Sequence, residues 1–164
     1  MAAETSRIRC YEDGDALQIV RLFYETVHSV NRADYSEEQV EAWAPEVPDP
    51  EAWHARMSAR HTLVAKCGGE VVGFAELKKD GHLDMLYVHK DAVGRGIGSL
   101  LYRAVEREAR EWGLGRIFTE ASVTARPFFE RWGFRVVRQR TVVQREVELT
   151  NFAMEKPLRP NKGG

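Results

Sequence analysis

Apolar residues along this chain switch between a helical and a strand rhythm, and the switch points divide it into elements. Leu17, Val20, Phe23, Tyr24 and Val27 recur at helical spacing and predict a helix over 13–30, after a first strand from Arg7 to Tyr11. Ser36, followed three residues on by Gln39, has the capping-box form and predicts a second helix to about Trp43. Three prolines in 44–50 exclude regular structure and lead into a short helix from Asp49 or Pro50 to about Ala59. From Thr62 the period drops to two. Strands are predicted over 62–67 and 70–78, joined by Gly68-Gly69, and Lys79-Asp80-Gly81 turns the chain into an apolar strand ending at Val88. Leu100, Leu101, Ala104, Val105 and Ala109 then mark a long amphipathic helix that Gly113 stops. A strand over 116–121, a short helix capped by Thr124 and ended by Gly133, and a hairpin of 134–143 with 147–155 complete the pattern. Residues 1–6 and 157–164 read as frayed ends.

This order predicts one α/β (α+β) domain over 1–164: a mixed, mostly antiparallel sheet of six to seven strands with helices on both faces. A length of 164 residues fits one domain. With 24 basic and 25 acidic residues the net charge is −1, so no global field recruits nucleic acid or an anionic membrane. No run approaches membrane-spanning length, and the amino terminus lacks a leader's apolar core. Cys10 and Cys67 have neither metal-ligand spacing nor a disulfide framework, which predicts buried packing roles, a reducing, cytoplasmic setting and no metal.

Chemistry concentrates between the strand at Val88 and the long helix. Gly94-Arg95-Gly96-Ile97-Gly98 places three glycines in five residues immediately before a helix start, where backbone donors lack partners. That arrangement is either a tight turn or an anion cradle. A dinucleotide fingerprint fails, because the third glycine it needs falls on Ser99 or Leu101, and a Walker loop fails for want of a lysine.

The loop resembles the coenzyme A pyrophosphate loop of the GNAT superfamily of N-acetyltransferases, Gln/Arg-x-x-Gly-x-Gly/Ala, with Gly96-Ile97-Gly98 as its second half. Val93 stands where Gln or Arg is usual, a position that acts largely through its backbone. Ala121 through Phe134 resembles the family's second motif, which ends in Tyr-Glu-x-x-Gly-Phe, with Phe129 in place of the tyrosine. The resemblance covers roughly 63–156 and implies acetyl-CoA as cosubstrate. It also implies that the strands after Gly81 and before Ala121 splay into a cleft for pantetheine. Leu86, Tyr87 and Val88 would pair with pantetheine amides, Val93 and the amides from Gly94 to Ser99 would hold the pyrophosphate, and Arg95 would add charge. Ser122 and Phe129 would line the same cofactor site.

Attack of an amine on a thioester needs a base, oxyanion donors and an acid for the thiolate. His82 and Asp84 are two apart on one strand and are the base candidates, with a water chain as the alternative. A phenyl ring cannot donate a proton, so Phe129 leaves Tyr87, Tyr102, Ser122 or water as the acid. The amino-terminal helices wall the acceptor side in this superfamily. There, 33–55 carries seven acidic residues and no Lys or Arg, interleaved with Tyr35, Trp43 and Trp53. These read either as solvated helix faces over a tryptophan-containing core or as an acidic, aromatic wall for a cationic amine. His28, Asn31 and Tyr35 are the acceptor-pocket candidates. The expected activity is acetyl transfer to a small amine or a protein amine; the other reading is a non-catalytic acyl-CoA binding or sensor module. Oligomeric state, including a homodimer, stays open.

Overall fold

The computed structural model describes residues 6–159. Among the described residues, seven strands form two antiparallel sheets. In the first, β1 (Arg7–Cys10), β2 (His61–Cys67), β3 (Glu70–Leu77) and β4 (Leu83–Val88) lie in sequence order. In the second, β7 (Val147–Pro157) lies between β5 (Arg116–Ser122) and β6 (Arg135–Gln144). The apolar alternation of the strands decides what packs where. Val64 and Phe74 face one way, towards α1 (Ala16–Ser29), α2 (Glu37–Trp43) and α3 (Pro50–Ser58). Leu63, Ala65 and Ala75 face the other way, towards α4 (Ile97–Glu111), with Phe129 of α5 (Arg126–Arg131) in the same core. Among the described residues, no helix is long and apolar enough to cross a membrane.

Local chemistry fixes the helix starts. Ser36 Oγ accepts from the Gln39 amide at 3.1 Å while Gln39 Oε1 accepts from the Ser36 amide at 2.9 Å, closing the capping box. Asp49 caps α3 through the Glu51 amide at 3.1 Å, with Pro50 at the first helical position. Gly73 lets α4 settle on the sheet, since a Cβ there would stand 2.9 Å from Leu101 Cδ1 and 3.0 Å from the Tyr87 carbonyl oxygen.

The two sheets meet at one end of β4 and β5 and part beyond it. His82 and Phe118 form an isolated parallel bridge, the Phe118 amide donates to the Gly81 carbonyl at 3.0 Å, and Thr119 Oγ1 donates to the Leu83 carbonyl at 2.8 Å. Gly81 sits at φ +96°, and a Cβ would lie 2.5 Å from the Arg116 carbonyl oxygen, so only glycine permits this approach.

Three expectations need correction. The carboxyl-terminal tail begins later than Pro157: that residue still pairs with Arg116, and Leu158 is buried, its amide donating to the Gly115 carbonyl at 2.8 Å. Residues 1–5 and 160–164 lie outside the described residues. Thr124 does not cap α5; Ser122 Oγ accepts from the Ala125 amide instead, at 3.0 Å, because the chain leaving β5 carries Ser122 over the helix start. Cys10 is exposed and Cys67 half-buried, since β1 is an edge strand and the hairpin end of β2 projects past the core.

Candidate functional site

Where β4 and β5 part, they enclose a cavity of about 220 Å³ lined by Leu86, Tyr87, Val88, Val93, Gly98, Ser122 and Phe129 among others. Beside it α4 begins. Gly96 takes the left-handed conformation, φ 81°, at the helix cap, and no side chain caps the helix among the described residues. The first-turn amides of Ile97, Gly98 and Ser99 are therefore the helix's unspent donors, carrying its positive end. Gly94, at φ 85°, and Gly96 both have open space where a Cβ would stand. The Arg95 amide is different, because it donates to the Ala92 carbonyl at 3.3 Å, and its side chain lines another cavity with Arg21 and Glu25. Ile97 buries its side chain in the core and offers only backbone. One β4 carbonyl expected to face pantetheine, that of Val88, accepts from Thr26 Oγ1 at 3.1 Å. Thr124 Oγ1, on the cavity lining, is buried without a hydrogen-bond partner among the described residues.

A second cavity, about 320 Å³, opens on the far side, over the three-stranded sheet. Tyr35, Arg140, Val142, Leu149 and Asn151 belong to it alone, whereas Trp43, Asp84, Tyr87, Glu120 and Ser122 line both cavities. These five residues form the junction.

The polar groups of the junction are held from behind. His82 lines neither cavity: its ring stacks on Phe118 at 4.8 Å, and Nε2 lies 2.6 Å from Glu120 Oε2 and 3.9 Å from Asp84 Oδ1. Asp84 Oδ2 is gripped by Arg56 at 2.7 Å and Arg60 at 2.8 Å, and both arginines also engage the fully buried Glu76. Glu120 Oε1 lies 3.6 Å from Arg140 Nη1. Tyr87 is wedged between Phe23 at 5.1 Å and Phe74 at 5.6 Å. Burial pushes its phenol well above the usual tyrosine range, only partly offset by a hydrogen bond with Trp43, so it keeps its proton at neutral pH. Ser122 Oγ accepts from the Ala125 amide at 3.0 Å and from Asn31 Nδ2 at 3.4 Å, which leaves its own proton to donate. Tyr102 is fully buried on the α4 side with its hydroxyl on Glu106 at 3.1 Å, out of reach of either cavity.

Of the acceptor candidates, Tyr35 lines the second cavity, where its hydroxyl donates to the Thr150 carbonyl at 2.6 Å and accepts from the Val123 amide at 2.9 Å. Asn31 lines the first cavity instead. His28 lines neither; its Nε2 lies 2.6 Å from the Ala44 carbonyl oxygen and its ring packs on Tyr24, tying α1 to the segment after α2. The acidic residues from Asp34 to Glu51 point to solvent, so the wall is aromatic rather than acidic. Glu120 and Arg140 escaped the sequence reading. Glu120 had one signal, its place two residues before Ser122 and so on the same face of a strand. Among the described residues no three His, Cys, Asp or Glu side chains converge on a metal-sized site.

Comparison with known proteins gives a consistent picture. The acetyltransferase (GNAT) domain family matches residues 31–156. The chain is 33% identical over 148 residues to the uncharacterized N-acetyltransferase YafP of Escherichia coli K12, covering 90% of this chain and 93% of that one. A crystal structure of a GCN5-related N-acetyltransferase from Rhodopseudomonas palustris superposes with a TM-score of 0.89 at 39% identity, over 96% of this chain and 99% of that one. The fold also matches YncA of Salmonella typhimurium, a putative acetyltransferase solved with its cofactor acetyl-CoA, at TM-score 0.75, 20% identity and 98% coverage of both chains.

Proposed function

This chain belongs to the GNAT acetyltransferase family and is an N-acetyltransferase, and we propose that it moves the acetyl group of acetyl-CoA directly to a primary amine held in the second cavity. The observation that carries this reading is the junction: two cavities of different character meet at Asp84, Tyr87, Glu120, Ser122 and Trp43. The first cavity fits the cosubstrate. Its open helix-start amides suit a diphosphate, and the unpartnered Thr124 hydroxyl offers a further polar contact. The Salmonella fold relative was solved with acetyl-CoA, which supports the choice of cosubstrate.

Acetyl-CoA supplies an acyl group already activated as a thioester. The protein has to orient the amine, remove its proton and donate hydrogen bonds where negative charge develops. Glu120, on the junction, takes the proton from the incoming amine, directly or through one water. His82 lies behind that carboxylate and holds it in place, with Asp84 fixed by Arg56 and Arg60 beside the ring. Ser122 and Tyr87 donate hydrogen bonds, the first towards the carbonyl oxygen and the second towards the departing sulfur. Tyr87 fills the role that Phe129 cannot.

The test is thiol release from acetyl-CoA over a panel of small amines, with product identified by mass. Release that depends on an amine is the expected result. Acetyl-CoA binding with no release for any amine would sink the transfer reading and leave a non-catalytic acyl-CoA binder.

A further inference from the structure

The charged groups on the floor of the second cavity are arranged in rows set by strand register. Ser122 of β5 pairs with Asn151 of β7, which pairs with Arg140 of β6, so these three share one row and one face of the sheet. One step along that face towards the junction lies Glu120, opposite Ala153, which pairs in turn with Arg138 of β6, an exposed residue outside the cavity lining. One step away from the junction lies the apolar pair Val142 and Leu149. The floor therefore reads, from the thioester outwards, as carboxylate, then guanidinium and amide, then hydrocarbon.

Two groups in the middle row are under-used. The Arg140 guanidinium has a 3.6 Å ion pair with Glu120 and makes no side-chain hydrogen bond among the described residues, although it carries five donors. Asn151 Oδ1 is buried and lacks a partner among the described residues. An anion-binding fork thus stands within one strand step of the group proposed to receive the amine.

We propose that the acceptor is a small zwitterion: an amino acid with an apolar or aromatic side chain, its carboxylate on Arg140 and its amine between Glu120 and Asn151. The inference rests on the transfer reading above and names its substrate class. A separation of 3.6 Å between Arg140 and Glu120 suits an amine and a carboxylate only two or three bonds apart. Val142, Leu149 and Trp43 then cover the side chain. A cavity of about 320 Å³ holds a molecule of that size and excludes a folded protein's bulk. In the reaction the ammonium first loses one proton through Glu120 to solvent, the free amine nitrogen bonds to the acetyl carbon as the carbon–sulfur bond breaks, Tyr87 protonates the departing sulfur so that coenzyme A leaves as the thiol, and the second amine proton restores the Tyr87 hydroxyl by way of Glu120 and water. The carboxylate is unchanged.

The experiment compares matched sets: phenylalanine, leucine and methionine, their carboxamides, and the corresponding decarboxylated amines, each at saturating acetyl-CoA. The expected result is a kcat/KM for the free acids at least ~10-fold above both partners, a preference worth ~1.4 kcal/mol. Arg140→Gln should erase that preference mainly by raising KM for the acids, and Arg140→Lys should restore part of it. Equal rates across the sets, or better rates for the carboxamides or amines, overturn the zwitterion inference and leave acetyl transfer standing. No thiol release with any member, while acetyl-CoA still binds, overturns both readings. If Arg140→Gln does not fold, the wild-type comparison and Arg140→Lys decide the matter alone.

Discussion

The two cavities that meet at the junction are built from different materials. The β4–β5 cleft offers helix-start amides, a strand edge and apolar walls, groups that any sequence can present once its backbone takes the right path. The cavity over the three-stranded sheet offers Glu120, Arg140 and Asn151, whose chemistry disappears when the side chain changes. A site of the first kind survives replacement of most side chains; one of the second kind does not. Within one fold, backbone-built sites can stay constant while side-chain-built ones diverge.

Separate perturbation of the two sides tests the contrast. Glu120→Gln should lower kcat/KM for the acceptor on the order of 10²–10³-fold, the range for loss of a general base, while acetyl-CoA binding measured by calorimetry shifts by no more than about twofold. A parallel collapse of cofactor binding would erase the distinction. Gly98→Val acts from the opposite side. A Cβ at Gly98 would already lie 3.2 Å from the Phe128 ring, so the larger side chain should weaken acetyl-CoA binding ~10-fold, about 1.4 kcal/mol, and leave the acceptor KM at saturating cofactor within about twofold. Tyr87→Phe removes the hydroxyl next to Trp43 without disturbing the ring packing. It should cost a few-fold to ~10-fold in kcat, with both KM values little moved in steady-state assays.

The smallest effect lies outside both cavities. Burial of Asp15 raises its carboxyl pKa, but hydrogen bonds from Arg9 and the Glu12 amide outweigh that and hold it below its ordinary value of 3.8. The unfolded chain therefore takes up the proton first. The stabilisation is complete above the unfolded value and is lost as pH falls through the folded one. Asp15→Asn should cost about 1 kcal/mol near neutral pH, and the gap should narrow in acid, as read from urea midpoints. It should be the same with and without acetyl-CoA.

The contrast also explains what the sequence made legible. The glycine segment could be read because positive φ before a helix demands glycine, whatever the tertiary context. The capping box at Ser36 was legible for an equally local reason. Glu120 and Arg140 were not: each sits in a strand of alternating polarity, where an outward charge is the ordinary expectation. Only the long-range register of β5, β6 and β7 turns those outward faces into a cavity floor. His28 stands one turn from Asn31 in sequence, but its partner, the Ala44 carbonyl, lies across a non-repetitive segment that periodicity cannot place. Thr124 misled by two residues, because side-chain capping depends on the path by which the chain leaves β5.

The contact of Gly81 with Arg116 fixes the end from which the gap between the sheets opens. Among the described residues, the bridge between the two sheets lies at His82 and Phe118, at one end of β4 and β5, and the gap opens from that point. With a rise of about 3.3 Å per residue, Val88 stands about 20 Å from the pivot, and a rotation of about 3° moves it by about 1 Å. A small tilt at the bridge therefore corresponds to its largest displacement beside the glycine segment at the far end.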